Sequence, residues 1–275
     1  MTGAQACRLS DGRLHLNHGP IDLICEAWGN PAAVTHAYRN ATRRFDGLLE
    51  ELVAELPALR QPNAALNGTI ALKMAAAIKP FHPTFITPMA AVAGAVADMI
   101  LSAMTQVELQ RAYVNNGGDI ALHLAAGERL TAAIAGTPHR VAIHSHDAIR
   151  GIATSGWRGR SFSLGIADSV TVLAKTAAMA DAAATMIANA VDLPNHPAIT
   201  RAPAKSLQCD SDLGAHGVTT YVGPLTQDET VRALSAGHVL AETCCANRLI
   251  LGAALCLNSH LRTTGALALL EPEHA

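Results

Sequence analysis

The sequence predicts a mixed α+β protein, and three observations carry that prediction. Helical and strand-like patterns share the 275 residues without strict alternation, which excludes a regular βαβ winding. The middle of the chain is a series of short β-type segments cut by glycine turns. Half of the residues are apolar but only 3% are aromatic, so the core must be built from Ala, Val, Leu and Ile. The 21 glycines would let such small side chains bring backbones close together. The length fits one domain over residues 1–275, or two intimately packed subdomains.

Taken in order, Arg13 to Ala27 reads as one or two strands. Asn30-Pro31 then gives an entry signal, a capping side chain with proline at the first helical position. The helix it opens is expected to run to about Glu55, with an apolar stripe at Val34, Ala41, Phe45, Leu48, Leu49 and Leu52. Residues 57–69 read as loop, and 70–78 fit strand or helix equally. Thr87 and Pro88 open a second helix to Thr105, rich in Ala and Gly. Short strands follow at 112–115, 120–125, 130–135 and 140–144, and another at 170–174. An Ala-rich helix spans 176–191, residues 192–226 read as loop, and a third long helix spans 227–247. Residues 249–257 read as a closing strand.

A formal net charge of −2 and 15% charged residues exclude the basic stripe of a nucleic-acid binder. They equally exclude a disordered chain, which needs low hydrophobicity and high net charge. The six cysteines form no Cys-x-x-Cys pair and no zinc spacing, so they read as reduced, mostly buried thiols. The start of the sequence shows no charged-then-apolar leader, and the apolar run 88–104 is interrupted by Asp98 and too short to span a bilayer. These readings point to a cytoplasmic protein without membrane contact.

Three segments could carry chemistry. In Asn115-Asn116-Gly117-Gly118-Asp119, the glycines supply the positive φ of a hairpin turn or clear space for a ligand. In the helix after Ser169-Val170-Thr171-Val172, Asp181 and Thr185 are four apart and share one face among Ala and Met. They form either a solvated Asp with a Thr bonded to its own helix, or a hard-oxygen pair suited to Mg2+ or Ca2+. In 151–161, Thr154, Ser155, Gly156, Arg158 and Arg160 form either an exposed loop or an anion cradle.

Together and in this order, the three segments resemble the ApbE-like superfamily, the relatives of FAD:protein FMN transferases, and a prokaryotic branch of it. The family pattern is an Asn-x-Gly-Gly-Asp turn, a Thr-Ser-Gly segment, and a Ser-Val-Thr-Val strand leading to an Ala-Asp-x-x-x-Thr helix. These stand here as Asn115 to Asp119, Thr154 to Gly156, Ser169 to Val172 and Ala180 to Thr185. The upstream Lys-Gly-x-x-x-Asp is matched in part by Ala93-Gly94 and Asp98, with Ala93 where the family has Lys. The family's His-x-x-Asp-Pro-x-x-Gly stretch is replaced by a shortened segment, Arg160 to Asp168.

The resemblance implies an ApbE-like, T-fold-related mixed sheet with packed helices. It further implies Mg2+ held by Asp181 and Thr185, which would be both metal ligands and catalytic groups. Asn115, Asn116, Gly117, Gly118 and Asp119 would line a flavin-nucleotide site, with Thr154, Ser155, Gly156, Arg158 and Arg160 near it. The implied activity is transferase or pyrophosphatase: FMN passed from FAD to a hydroxyl of an acceptor protein, or FAD hydrolysed to FMN and AMP. A second reading keeps the fold as a non-catalytic binder of FAD, FMN or another anionic small molecule, in a chain that could also pair as a homo-oligomer.

Two further patterns offer weaker chemistry. His144 and His146, two apart on a strand, could face one metal but lack a visible third ligand. Gly159-Arg160-Ser161-Phe162-Ser163 is not the Gly-x-Ser-x-Gly elbow of a serine hydrolase.

Overall fold

The computed structural model describes residues 3–265, 267 and 269–270. Along the chain the elements are β1 (Gln5–Arg8), β2 (Leu14–His18), β3 (Ile21–Trp28), α1 (Pro31–Phe45), α2 (Leu48–Ala54), α3 (Leu56–Leu59), α4 (Thr69–Ile78) and α5 (Val92–Met104). Then come β4 (Arg111–Asn116), β5 (Asp119–Leu124), β6 (Arg129–Ala133), β7 (Arg140–His144), β8 (Gly151–Ser155), β9 (Ser169–Ala174) and α6 (Ala177–Ala190). The remainder is β10 (Ile199–Pro203), α7 (Ala204–Leu207), β11 (Gly217–Val222), α8 (Gln227–Ala246), β12 (Gly252–Leu257), β13 (His260–Gly265) and β14 (Leu269–Leu270). The α+β expectation holds.

The chain divides into two compact units, and helix α6 contributes to both. The first comprises Met1–Leu130, Ile143–Ala153 and Ala174–Asp181. Its sheet runs β1-β2-β3-β4-β5-β8, with each neighbouring pair antiparallel. One sheet face alternates inward with Leu14, Leu16, Leu23, Cys25, Ala112 and Val114, all buried. Helices α1 and α5 cover it, with Ala37, Ala41 and Phe45 from α1 and Val96, Ile100 and Met104 from α5. In the second unit β9-β12-β13 form an antiparallel set, β10 and β11 a separate ribbon, and α8 packs on β12 and β13. Every residue of β9 and β12 is buried, the pattern of strands covered on both faces.

Several elements differ from expectation, each for a local reason. The helix expected through Glu55 breaks after Phe45, because Gly47 takes a left-handed φ of 77° and restarts the chain as α2. The ambiguous 70–78 is the helix α4. Pro88–Ala91 forms a 3-10 turn, so the helix expected from Thr87 begins at Val92. Residues 151–155, expected as part of a loop, are the strand β8. The loop expected over 192–226 contains the β10–β11 ribbon, and the closing strand β12 is followed by β13. The cysteines are all free, with Cys7 and Cys209 exposed.

Candidate functional site

In the first unit the starts of two helices meet, and each is capped by a carboxylate from the other. Asp98, on α5, accepts the backbone N–H groups of Ala177 and Ala178 at 3.0 Å each, which are the first two of α6. Asp181, on α6, accepts the N–H of Gly94 at 3.0 Å, near the start of α5. Helix starts carry unpaired N–H donors and partial positive charge, so two of them facing each other need this exchange of acids. The approach is close enough to exclude a side chain at position 94. A Cβ there would stand 2.2 Å from the Ala177 carbonyl oxygen. Gly151 makes room from β8 in the same way, its Cβ position lying 2.2 Å from the Ala177 nitrogen. Gly94 and Asp98 sit one helical turn apart because one admits α6 and the other holds it.

The turn Asn115–Asp119 lies in the same unit. Asn116 pairs with Asp119 across a two-residue hairpin loop of Gly117 (φ 66°) and Gly118 (φ 115°), both in the positive region such loops require. The Asn115 side chain accepts the Gly118 N–H at 2.8 Å, and Asn116 donates to the Ala93 carbonyl at 3.1 Å. The hairpin is thereby tied to the start of α5, and a Cβ at Gly118 would meet nothing within 4 Å.

Asp181 is half-buried, which sets aside the reading of a solvated Asp on an outer face. Burial, and then the neighbouring Asp119 carboxylate, push its pKa well above the usual carboxylate range, while the Gly94 and Ala93 N–H groups pull the other way. Burial also raises Asp98, against the Ala178 and Ala177 N–H groups and Lys73. One turn beyond Asp181 on α6 stands Thr185, also half-buried. Thr35, Thr42, Thr230 and Thr243 each donate to the carbonyl four residues back in their own helices. Thr185 makes no such bond among the described residues, so the alternative of a Thr bonded to its own helix is not realised.

The remaining expected residues lie in the second unit and are engaged locally. The Thr154 hydroxyl bonds that of Thr171 at 2.9 Å, and Ser155 is half-buried at the end of β8. Gly156 is required by a close approach, since a Cβ there would stand 2.5 Å from the Asp168 carbonyl oxygen. Arg158 donates to Asp168 at 2.7 Å and stacks over Trp157, so its guanidinium already has an acid. Arg160 is exposed. Asp168, which no motif marked, also accepts the Trp157 indole N–H at 3.3 Å and the Asn258 N–H at 2.8 Å.

Chemically, the junction in the first unit offers hard oxygen donors in two close carboxylates, Asp181 and Asp119. Among the described residues no group of three His, Cys, Asp or Glu could hold a metal. His144 and His146 stack on each other at 5.3 Å, and Arg150 closes their turn on the carbonyls of Ser145, Asp147 and Ile149. No helix of the described residues is long and apolar enough to cross a membrane.

Residues 6–265 match the model of a family described as AbpE bacteria. Among curated proteins the chain is similar to a UPF0280 protein of Methanothrix thermoacetophila, 40% identical over 128 residues, covering 44% of this chain and 52% of that one. It is also similar to the UPF0280 protein of Methanopyrus kandleri, 35% identical over 150 residues, covering 51% of this chain and 59% of that one. The match thus spans about half the length of these curated relatives. Among solved structures, the apo form of the flavinyl transferase ApbE of Pseudomonas stutzeri aligns over 87% of this chain and 73% of its own, at 15% identity and a TM-score of 0.37.

Proposed function

The chain belongs to the AbpE bacteria family, and on that footing we propose that it processes a flavin nucleotide with the help of Mg2+. The reaction is transfer of FMN from FAD to a hydroxyl of an acceptor protein, or cleavage of FAD to FMN and AMP. The observation that carries this reading is Asp181: a half-buried carboxylate held by a helix-start N–H, beside a second acid, with an unbonded hydroxyl one turn on.

These donors fit Mg2+, which is bound by one or two carboxylates plus substrate phosphates and needs no all-protein cage. Asp181 and Thr185 would hold it, and when bound it would supply positive charge against the phosphate oxygens. The chain's own groups do the positioning. Gly94 orients the Asp181 carboxylate, Asn116 fixes the Ala93 carbonyl, and Gly118, where a Cβ would meet nothing within 4 Å, leaves room at the hairpin tip for a nucleotide. Thr154, Ser155 and Gly156 remain candidate nucleotide contacts.

Two observations favour a second reading, a binder of FAD, FMN or a related anion that does not turn it over. Ala93 stands where the family has Lys, and Arg158 is committed to Asp168. Purified protein incubated with FAD, with and without Mg2+, and analysed by chromatography separates the two. The enzyme reading expects Mg2+-dependent FMN and AMP, lost in Asp181→Ala. Tight FAD binding without product over hours would establish the binder instead, and product unchanged in Asp181→Ala removes the ligand role.

A further inference from the structure

A second polar feature of the first unit lies at the opposite end of its strand order from β8. Strand β1 is the outermost strand, pairs only with β2 among the described residues, and has all four of its residues exposed. Between β1 and α1 runs an open groove of about 650 Å³, floored by Ala6, Leu14 and Tyr38. Its rim carries Arg8, Arg39 and Arg43. Arg8 lies over the Tyr38 ring at 4.4 Å.

None of these three guanidinium groups has a carboxylate partner among the described residues, whereas Arg13, Arg44, Arg158 and Arg201 each have one. Helix α1 contains no acidic residue at all. Arg39 and Arg43 are like charges four apart, an arrangement that disfavours a helix unless something opposes it. In a chain of net charge −2, such a local excess is not a by-product of bulk composition.

We propose that this groove docks an acidic peptide segment of a partner protein in extended form, laid along the open edge of β1. An edge strand offers unpaired N–H and C=O groups that an added strand can use, and alternate side chains then supply specificity. The spacing matches. Residues four apart on a helix advance about 6 Å, and alternate residues of a strand advance about 6.6 Å. Carboxylates at every second position of the incoming strand can therefore meet Arg39 and Arg43 in turn, with Arg8 opposing them from β1. Arginines one turn apart on a helix, with a third on the facing strand, suit a line of charges better than one compact phosphate. The inference does not depend on the flavin reading.

The test is fluorescence anisotropy with a labelled seven-residue peptide alternating Thr and Glu, against the same peptide with Gln or Lys in place of Glu. The Glu peptide is expected to bind with an affinity that falls as salt rises, at least tenfold tighter than the Gln peptide. Arg39→Glu with Arg43→Glu should abolish that binding and transfer preference to the Lys peptide. Both residues are exposed, and Arg43→Gln alone, expected to weaken binding severalfold, serves if the double variant does not fold. Equal affinity for the Glu and Gln peptides, or binding unchanged in the variants, overturns the proposal. So does displacement of the peptide by equimolar inorganic phosphate, which would make the groove an oxyanion site. Loss of self-association in the double variant by sedimentation would assign the edge to a second copy, and also overturns it.

Discussion

Glu229 and Asp181 both bond to the N–H groups of helix starts, yet their proton affinities move in opposite directions. Glu229, in the second unit, closes the capping box of α8: it accepts the Thr226 N–H at 2.8 Å while Thr226 accepts its own N–H. The Thr226 N–H and then His196, at 2.9 Å, hold it down to about 2. Asp181, in the first unit, has a comparable bond from Gly94 but is pushed upward by burial and by Asp119. The local bonding is alike; the solvent and the neighbouring charge differ. On the proposed reading, the acid pressed by a second carboxylate is the one that gains by receiving a cation, and groups perturbed in this way cluster at functional sites.

The largest expected effect breaks the junction itself. Gly94→Ala would force a Cβ to 2.2 Å from the Ala177 backbone, and overpacking of this kind costs about 3 kcal/mol. Denaturant titration should show the loss, and a change under 1 kcal/mol would mean that α5 and α6 part easily. Next, Asp98→Ala leaves two N–H groups of α6 without their acceptor, a loss of about 2 kcal/mol by the usual worth of a cap.

The pH dependence sharpens the contrast between the two acids. Because the folded-state pKa of Asp181 is raised, its contribution is fully present below the ordinary carboxylate range and is lost as pH rises through the raised value. Asp181→Asn should therefore gain on the wild type as pH increases, read as a widening difference in Tm. Glu229 is depressed to about 2, so its contribution is present above the ordinary value and is lost as pH falls toward 2. Glu229→Gln should be less stable at neutral pH, with the difference closing in acid. Parallel pH profiles for the two variants would contradict this account. The smallest effect is expected from Arg158→Ala, whose ion pair with Asp168 is mostly exposed on the arginine side and is worth under about 1 kcal/mol.

Much of the junction was legible in the sequence, though not its logic. Asn115 to Asp119 and the pair Asp181 and Thr185 stand out by residue type and spacing, whereas Gly94 and Asp98 stand out only through the family resemblance. That Asp98 and Asp181 exchange helix caps could not be read from the chain, because the partners are 79 to 87 residues apart. Strand β8 was hidden because its Gly, Ala, Thr and Ser residues look like loop. Its Gly151 is there to clear the start of α6 rather than to turn the chain. The β10–β11 ribbon was missed because most of its residues face solvent at least in part, leaving little apolar alternation to read. The break at Gly47 had a signal in Asp46-Gly47, which the continuing apolar stripe outweighed. Arg158 illustrates the limit of composition: two arginines among glycines look like an anion cradle until Asp168 supplies a partner.

The most direct test of the proposed cation site uses Thr185, whose hydroxyl is unbonded where other helical threonines bond back. Thr185→Val keeps the shape and removes the oxygen. Mg2+ is titrated into FAD-containing protein and flavin fluorescence is followed for wild type, Thr185→Val and Thr185→Ser. The prediction is a Mg2+-dependent change that needs at least tenfold more metal in Thr185→Val, is preserved in Thr185→Ser, and leaves Tm without metal unchanged. Superimposable Mg2+ titrations for wild type and Thr185→Val would contradict it.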